Sequence, residues 1–149
     1  MDYKIIRIDE SNYGLFDNMV FFRIHGYENN SLENPITDSI KKELANPNLF
    51  LYAVKKEERL VGWISLVYIP KVGSKWEGHG HIYVDELWVE PEQRGNGLAK
   101  ALMHKAEELK ESLQAIGIRL YVNINNETAH KLYEACGYHE DGQAFFMEK

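Results

Sequence analysis

The sequence predicts a mixed α/β (α+β) fold of about seven strands and four helices, in the order β-α-α-β-β-β-α-β-α-β-β. The sheet is expected to be mostly antiparallel, with a parallel central pair formed by the fourth and fifth strands. Three observations predict this. Short runs that alternate apolar with polar residues, or that are rich in β-branched and aromatic ones, recur along the chain and read as strands. Two pairs of these runs are joined by connections of hairpin length, which makes those neighbours antiparallel. One long amphipathic stretch, residues 97–114, separates the fourth run from the fifth, and a crossover of that length joins parallel strands with a right-handed turn.

The elements follow in order. Residues 3–8 alternate apolar with polar and form the first strand. Ser11 is a candidate cap for a helix carrying Leu15, Phe16, Met19, Val20, Phe22 and, near its end, Ile24, an apolar surface broad enough to pack on a sheet; Gly26 stops it. Residues 27–35 have turn composition. Thr37 or Asp38 caps a short helix through Leu44, ended by Asn46 and Pro47. Residues 49–55 and 60–69 are strands joined by the charged connection 56–59. The stretch 72–80 is too rich in glycine for regular structure and opens into a strand at residues 81–89. Leu98, Leu102, Leu109, Leu113 and then Ile116 share a stripe of the long helix, which Gly117 ends. Residues 118–122 form a short strand. Asn125 or Asn126 can cap the last helix, on which Ala129, Leu132, Tyr133 and Cys136 share a face; Gly137 closes it. Residues 138–140 and 144–148 are expected to be two closing strands around Asp141-Gly142.

At 149 residues the chain suits a single domain, 1–149, with one core, because domains cluster around roughly 100 to 150 residues. No apolar run approaches the roughly 20 residues that span a bilayer, and residues 1–5 lack the basic-then-apolar order of a signal peptide. A soluble, cytoplasmic protein without membrane partners is expected. The one cysteine, Cys136, excludes an internal disulfide, fits a reducing compartment, and is expected to pack in the core. A net charge of −6 without a Lys/Arg cluster argues against nucleic acid, whose binding draws on phosphate neutralisation. It tolerates a cationic substrate.

The chemistry gathers at the junction of residues 84–99, where a buried strand runs through Pro91, Gly95 and Gly97 into the long helix. The first amides of that helix have no partners within it. With the positive end of the helix dipole they make an anion site, the glycines let a ligand approach the backbone, and Arg94 adds a fixed charge. An ordinary strand-to-helix turn would use the glycines only to relieve strain.

Two motifs decide between these readings. Arg94-Gly95-Asn96-Gly97-Leu98-Ala99 resembles the Arg/Gln-x-x-Gly-x-Gly/Ala signature of the GCN5-related N-acetyltransferase (GNAT) family. Asn126, Ala129, Leu132, Tyr133, Glu134, Gly137 and Tyr138 are similar to that family's Asn-x-x-Ala-x-x-Leu-Tyr-Glu-x-x-Gly-Phe/Tyr segment. The order of elements is also that of the family, so the resemblance covers nearly the whole chain and implies a GNAT-like twisted sheet. It further implies that Leu87, Trp88 and Val89 offer backbone to the pantetheine of acetyl-coenzyme A, that Arg94, Gly95, Asn96, Gly97, Leu98 and Ala99 wrap the pyrophosphate, and that Asn126 bonds the cofactor arm. Tyr133 would protonate the leaving thiolate; its helical spacing independently turns it toward the sheet. A splay of the parallel strands, with an oxyanion-stabilising amide near residues 87–89, is a family implication.

An amine acceptor with a pKa near 10 must lose a proton at neutral pH. Asp85 and Glu86 are the carboxylates on the central strand, expected on opposite faces, and both are candidate bases. Acceptor choice is assigned to residues 21–35 and 72–80, where Glu28, Glu33 and Glu77 could attract a cation and Tyr27 and Trp76 could cover it. His79 and His81 lack a third ligand at fitting spacing, so no metal is expected. The leading expectation is an acetyl-coenzyme A-dependent N-acetyltransferase acting on a small-molecule or peptide amine. The alternative is a non-catalytic acyl-coenzyme A binding or sensing domain. The aromatic C-terminal strands offer an edge for pairing as a homodimer.

Overall fold

The computed structural model describes residues 2–29, 35–73, 75 and 79–149. The elements are β1 (Lys4–Arg7), α1 (Tyr13–His25), α2 (Asp38–Leu44), β2 (Leu49–Lys56), β3 (Arg59–Ile69), β4 (His81–Val89), α3 (Leu98–Leu113), β5 (Gly117–Leu120) and α4 (Glu127–Ala135), with one turn of 3-10 helix at Pro91–Gln93. One five-stranded sheet has the order β1-β2-β3-β4-β5. β1 to β4 are antiparallel neighbours and β5 runs parallel to β4.

Local chemistry explains these elements. The β2–β3 hairpin pairs Lys56 with Arg59 and turns through Glu57, whose φ is 53°. Gly26 ends α1 in the left-handed conformation at φ 78°, its N–H donating to the Phe22 carbonyl. Thr37 caps α2 by accepting from the Ile40 amide at 3.2 Å. At the start of α1 the cap position is Asn12 rather than Ser11; the Ser11 amide donates to the Asp9 carboxylate instead. On α3, Leu98, Leu102, Met103, Ala106 and Leu109 are buried. Its outer face carries His104, Lys105, Glu107 and Glu108 in pairs three or four residues apart.

The two faces of the sheet are covered by different helices. Val54, Val61, Ile64, Leu66, Ile82, Val84 and Val89 form one core with α3, and Tyr133 of α4 packs against it. Ala53, Leu60, Trp63 and Trp88 meet Met19, Leu15, Phe16 and Val20 of α1 on the other. Covering both faces explains why residues 60–64 of β3 are all buried. Leu102 and Ile64 are 0% exposed, and each such burial contributes roughly 1.5–3 kcal/mol.

Among the described residues the sheet has five strands rather than about seven. Residues 138–140 and 144–148 adopt no strand. Phe145, Phe146 and Met147 are 95%, 87% and 86% exposed, and a two-stranded hairpin with no covered face is marginal in water. Ile24 likewise lies outside the α1 core surface at 69% exposure.

Candidate active site

The parallel pair parts halfway along. β4 and β5 are in register from His81 with Gly117 to Val84 with Leu120, where β5 ends. β4 continues to Val89, so its second half has an open edge on that side. The Glu90 amide donates to Val61 of β3 at 2.9 Å, and the Trp88 carbonyl lies so close to β3 that a Cβ on Gly62 would meet it at 2.9 Å. Backbone groups alternate between the two edges of a strand. Leu87 and Val89 therefore turn theirs to the open edge, while Trp88 pairs with β3 and puts its ring in the α1 core. The Val89 carbonyl already accepts from Arg94 Nε at 2.9 Å. What the edge offers a ligand is both backbone groups of Leu87 and the amide of Val89.

A bulge lies where the strands part. Ser65 pairs with Glu86 and Leu66 with Val84, which leaves Asp85 as the extra residue. The insertion reverses the alternation: Val84, Leu87 and Val89 all face α3, and Glu86 reaches across to Arg23 of α1, Oε2 to Nη1, at 3.5 Å. In an unbroken strand Glu86 would share the face of Val84. Bulges re-aim side chains in this way, and strict alternation does not apply to these two carboxylates. Asp85 is exposed; its charge adds to burial in pushing up the Tyr83 phenol.

Beyond Val89 the chain turns into α3. Gly95 and Gly97 have φ of 79° and 77°, and a Cβ on either would meet nothing within 4 Å. The glycines are needed for backbone conformation, and the space beside them is open. Gly97 is the cap residue of α3 and no side chain caps that end, so the amides of Leu98 and Ala99 belong to an uncapped first turn. Asn96 donates to the Gln93 carbonyl at 3.2 Å.

Three contacts brace this turn. Arg94 holds the end of β4, as above. Lys56 Nζ donates to Gln93 Oε1 at 2.7 Å. Glu90, 4% exposed, pairs with Arg59 at 3.1 Å, and Arg59 also pairs with Glu28 at 3.0 Å and lies over the Phe22 ring. Glu90 Oε2 has no directed hydrogen bond, so its 3.1 Å contact with Arg59 is an ion pair off the N–H axis.

Helix α4 packs on the α3-side core through Tyr133. Asn126 caps it, its Oδ1 accepting from the Ala129 amide at 3.1 Å, which leaves Nδ2 to donate outward. Tyr133 is half-buried against the α3 core, and burial, with Cys136 adding, raises its pKa. The Tyr138 ring lies 6.3 Å from it; burial, then Glu107, Cys136 and Tyr133, pushes Tyr138 up to about 12. Both phenols are protonated at neutral pH. Burial raises the Cys136 thiol as well, which keeps it un-ionised and unsuited to nucleophilic attack.

Of the expected acceptor residues, Tyr27 and Glu28 fall within the described residues. Tyr27 is 61% exposed in a cluster of rings with Phe21 and His25. Glu28 is engaged by Arg59. Glu33, Trp76 and Glu77 lie outside the described residues. Arg23 falls inside the 21–35 stretch expected to choose the acceptor but is not among the residues named there, and Arg59 is not among the expected site residues. Arg23 had a signal: it falls four residues after Met19 and seven after Phe16, a cation inside the apolar stripe of α1. Among the described residues no group of three or more His, Cys, Asp or Glu gathers as for a metal, and no helix is long and apolar enough to cross a membrane.

Residues 17–138 match the model of the Acetyltransferase (GNAT) family. The chain is 33% identical over 93 residues to the N-terminal acetyltransferase B complex catalytic subunit NAA20 of Arabidopsis thaliana, an overlap of 62% of this chain and 51% of that protein. It spans 51–64% of the length of three curated relatives it matches and 28–37% of three others. An aminoglycoside acetyltransferase from an uncultured soil metagenomic sample superposes with a TM-score of 0.81 at 20% identity, covering 100% of this chain and 99% of that one. Aminoglycoside N-acetyltransferase AAC(6')-Iy in complex with CoA gives 0.76 at 12%, covering 98% of each. At those identities the two structures share the fold. The family match spans the parted strands, the glycine turn and the segment from Asn126 to Tyr138, and the chain belongs to the acetyltransferase (GNAT) family.

Proposed function

We propose that the protein is an N-acetyltransferase that takes acetyl-coenzyme A as co-substrate and passes the acetyl group to a primary amine of a small molecule or peptide by direct attack. The observation that carries this is the continuous track along β4: an open backbone edge at Leu87 and Val89 leads into the uncapped, glycine-lined start of α3. A pantetheine arm finds amide partners on the first, and a pyrophosphate finds amides and the helix dipole at the second. Leu98 and Ala99 contribute amides there, Asn126 donates from the α4 cap, and Arg94 keeps the strand end in place.

Acetyl-coenzyme A supplies an activated thioester. The amine nitrogen bonds to its carbonyl carbon, the carbon–sulfur bond breaks, and the electron pair leaves with sulfur. A β4 amide at Leu87 or Val89 stabilises the oxyanion. Tyr133, kept protonated by burial, gives its proton to the departing thiolate. The proton lost by the amine goes to Glu86 or Asp85, directly or through water. Replacing Tyr133 with Phe should lower kcat by about 100-fold, at the low end for general acid catalysis, and leave acetyl-coenzyme A affinity unchanged. Thiol release at the wild-type rate would remove Tyr133 from the mechanism. Affinity for acetyl-coenzyme A without thiol release toward any amine would favour the binding or sensing domain.

We place residues 1–149 in one acetyltransferase domain and the protein in the cytoplasm, where a lone, un-ionised thiol persists. We further propose a homodimer, supported by the exposed apolar run at Phe145, Phe146 and Met147 and by a sheet whose last strand, β5, is an edge.

A further inference from the structure

We propose that the acceptor is an amine carrying a carboxylate within a few bonds of its nitrogen, and that Arg23 selects it; this rests on the acetyltransfer reading above. Glu86 stands at the bulge next to Leu87, the residue whose backbone faces the open edge, and it projects to the α1 side of the sheet. An amine entering from that side meets Glu86 and Arg23 together. The Arg23 guanidinium lies over the Trp63 ring at 5.0 Å and the Trp88 ring at 5.9 Å, so two indoles fix its position on the sheet face. Its pair with Glu86 is long, 3.5 Å, and the two side chains are 44% and 51% exposed. A loose pair of that kind is open to exchange with a ligand.

The charges then decide which ligand. An ammonium drawn to Glu86 comes close to the fixed guanidinium, and like charges at that separation repel. A polycation such as an aminoglycoside worsens the conflict. A carboxylate on the same molecule removes it by seating on the Arg23 fork, for which guanidinium geometry is suited. The internal pair is replaced by two intermolecular pairs and no charge is left unmatched. Arg23 thus favours one acceptor class and disfavours the other.

Matched acceptors test this through thiol release: a free α-amino acid against its amide, and a peptide with an N-terminal glutamate against the glutamine peptide, with an aminoglycoside as the polycation. The wild-type protein should prefer a carboxylate member by about tenfold or more in kcat/KM, the scale of one charge-assisted pair. Preference in the first pair identifies a free amino acid as the source and preference in the second a peptide; either supports the proposal. Arg23→Gln should erase the preference chiefly through KM while acetyl-coenzyme A affinity stays unchanged, and Arg23→Lys should keep part of it. Equal or faster turnover of the uncharged member in both pairs, or of the aminoglycoside against both carboxylate members, by the wild-type protein overturns the carboxylate proposal and leaves acetyltransfer standing. A preference that survives Arg23→Gln overturns the role of Arg23. No thiol release with any amine, and no acetyl-coenzyme A binding, overturns both readings.

Discussion

His81 opens β4 at 6% exposure, and burial, then the charges of Arg119 and Lys71, lowers its pKa below 6.5. A histidine kept neutral by the fold binds its proton more readily in the unfolded chain. Its contribution to stability is full above the unfolded pKa and is lost as pH falls from about 6.5 through the folded value. The urea midpoint should therefore drop between pH 7 and pH 5, and His81→Gln should flatten that slope; an unchanged slope would remove His81 as its source. Asp9 and Glu108 also carry lowered pKa values, but carboxylates release their contribution near or below about pH 4, outside this window. At this scale the sequence was legible where helical spacing applies. Tyr133 and Cys136 fall on the packed face of α4 as their spacing predicts. The aim of Glu86 was not legible, because it depends on a bulge that only the pairing with β3 creates.

At the scale of elements, the β4-to-α3 turn depends on residues distant in sequence. Glu28 follows α1, Arg59 opens β3 and Glu90 follows β4, and their charges meet at the start of the turn. Arg59→Ala leaves Glu90 buried without its cation. The cost should be about 1–3 kcal/mol, the desolvation penalty of a stranded polar group, read as a lower urea midpoint, with weaker acetyl-coenzyme A binding as the turn loosens. Arg59→Lys should recover part of both. Stability unchanged in Arg59→Ala would mean that Glu90 finds other partners at no cost. The glycines and proline announced the turn itself, since they punctuate the chain locally. The brace did not show, because three isolated charges have no periodicity.

At the scale of the molecule, the open β5 edge and the exposed C-terminal run bear on self-association. A homodimer formed through this region should elute at twice the 17.3 kDa chain mass. Replacing Phe145 and Phe146 with Ser should shift it to monomer and change stability by no more than about 0.5 kcal/mol, as for other surface positions. A monomeric wild-type protein at high concentration would end that proposal. Local signals by themselves determined the four helices, the β2–β3 hairpin, the crossover that makes β4 and β5 parallel, and the glycine-bracketed turn before α3. Each rests on one continuous stretch of the chain. The closing strands failed as an expectation because a strand needs a partner, and Asp141-Gly142 supplies a turn without one. Only tertiary structure decided where β4 and β5 part, which backbone groups face that gap, and that Glu86 meets Arg23 on two tryptophans. Those outcomes depend on where pairing stops, and pairing is a property of two strands.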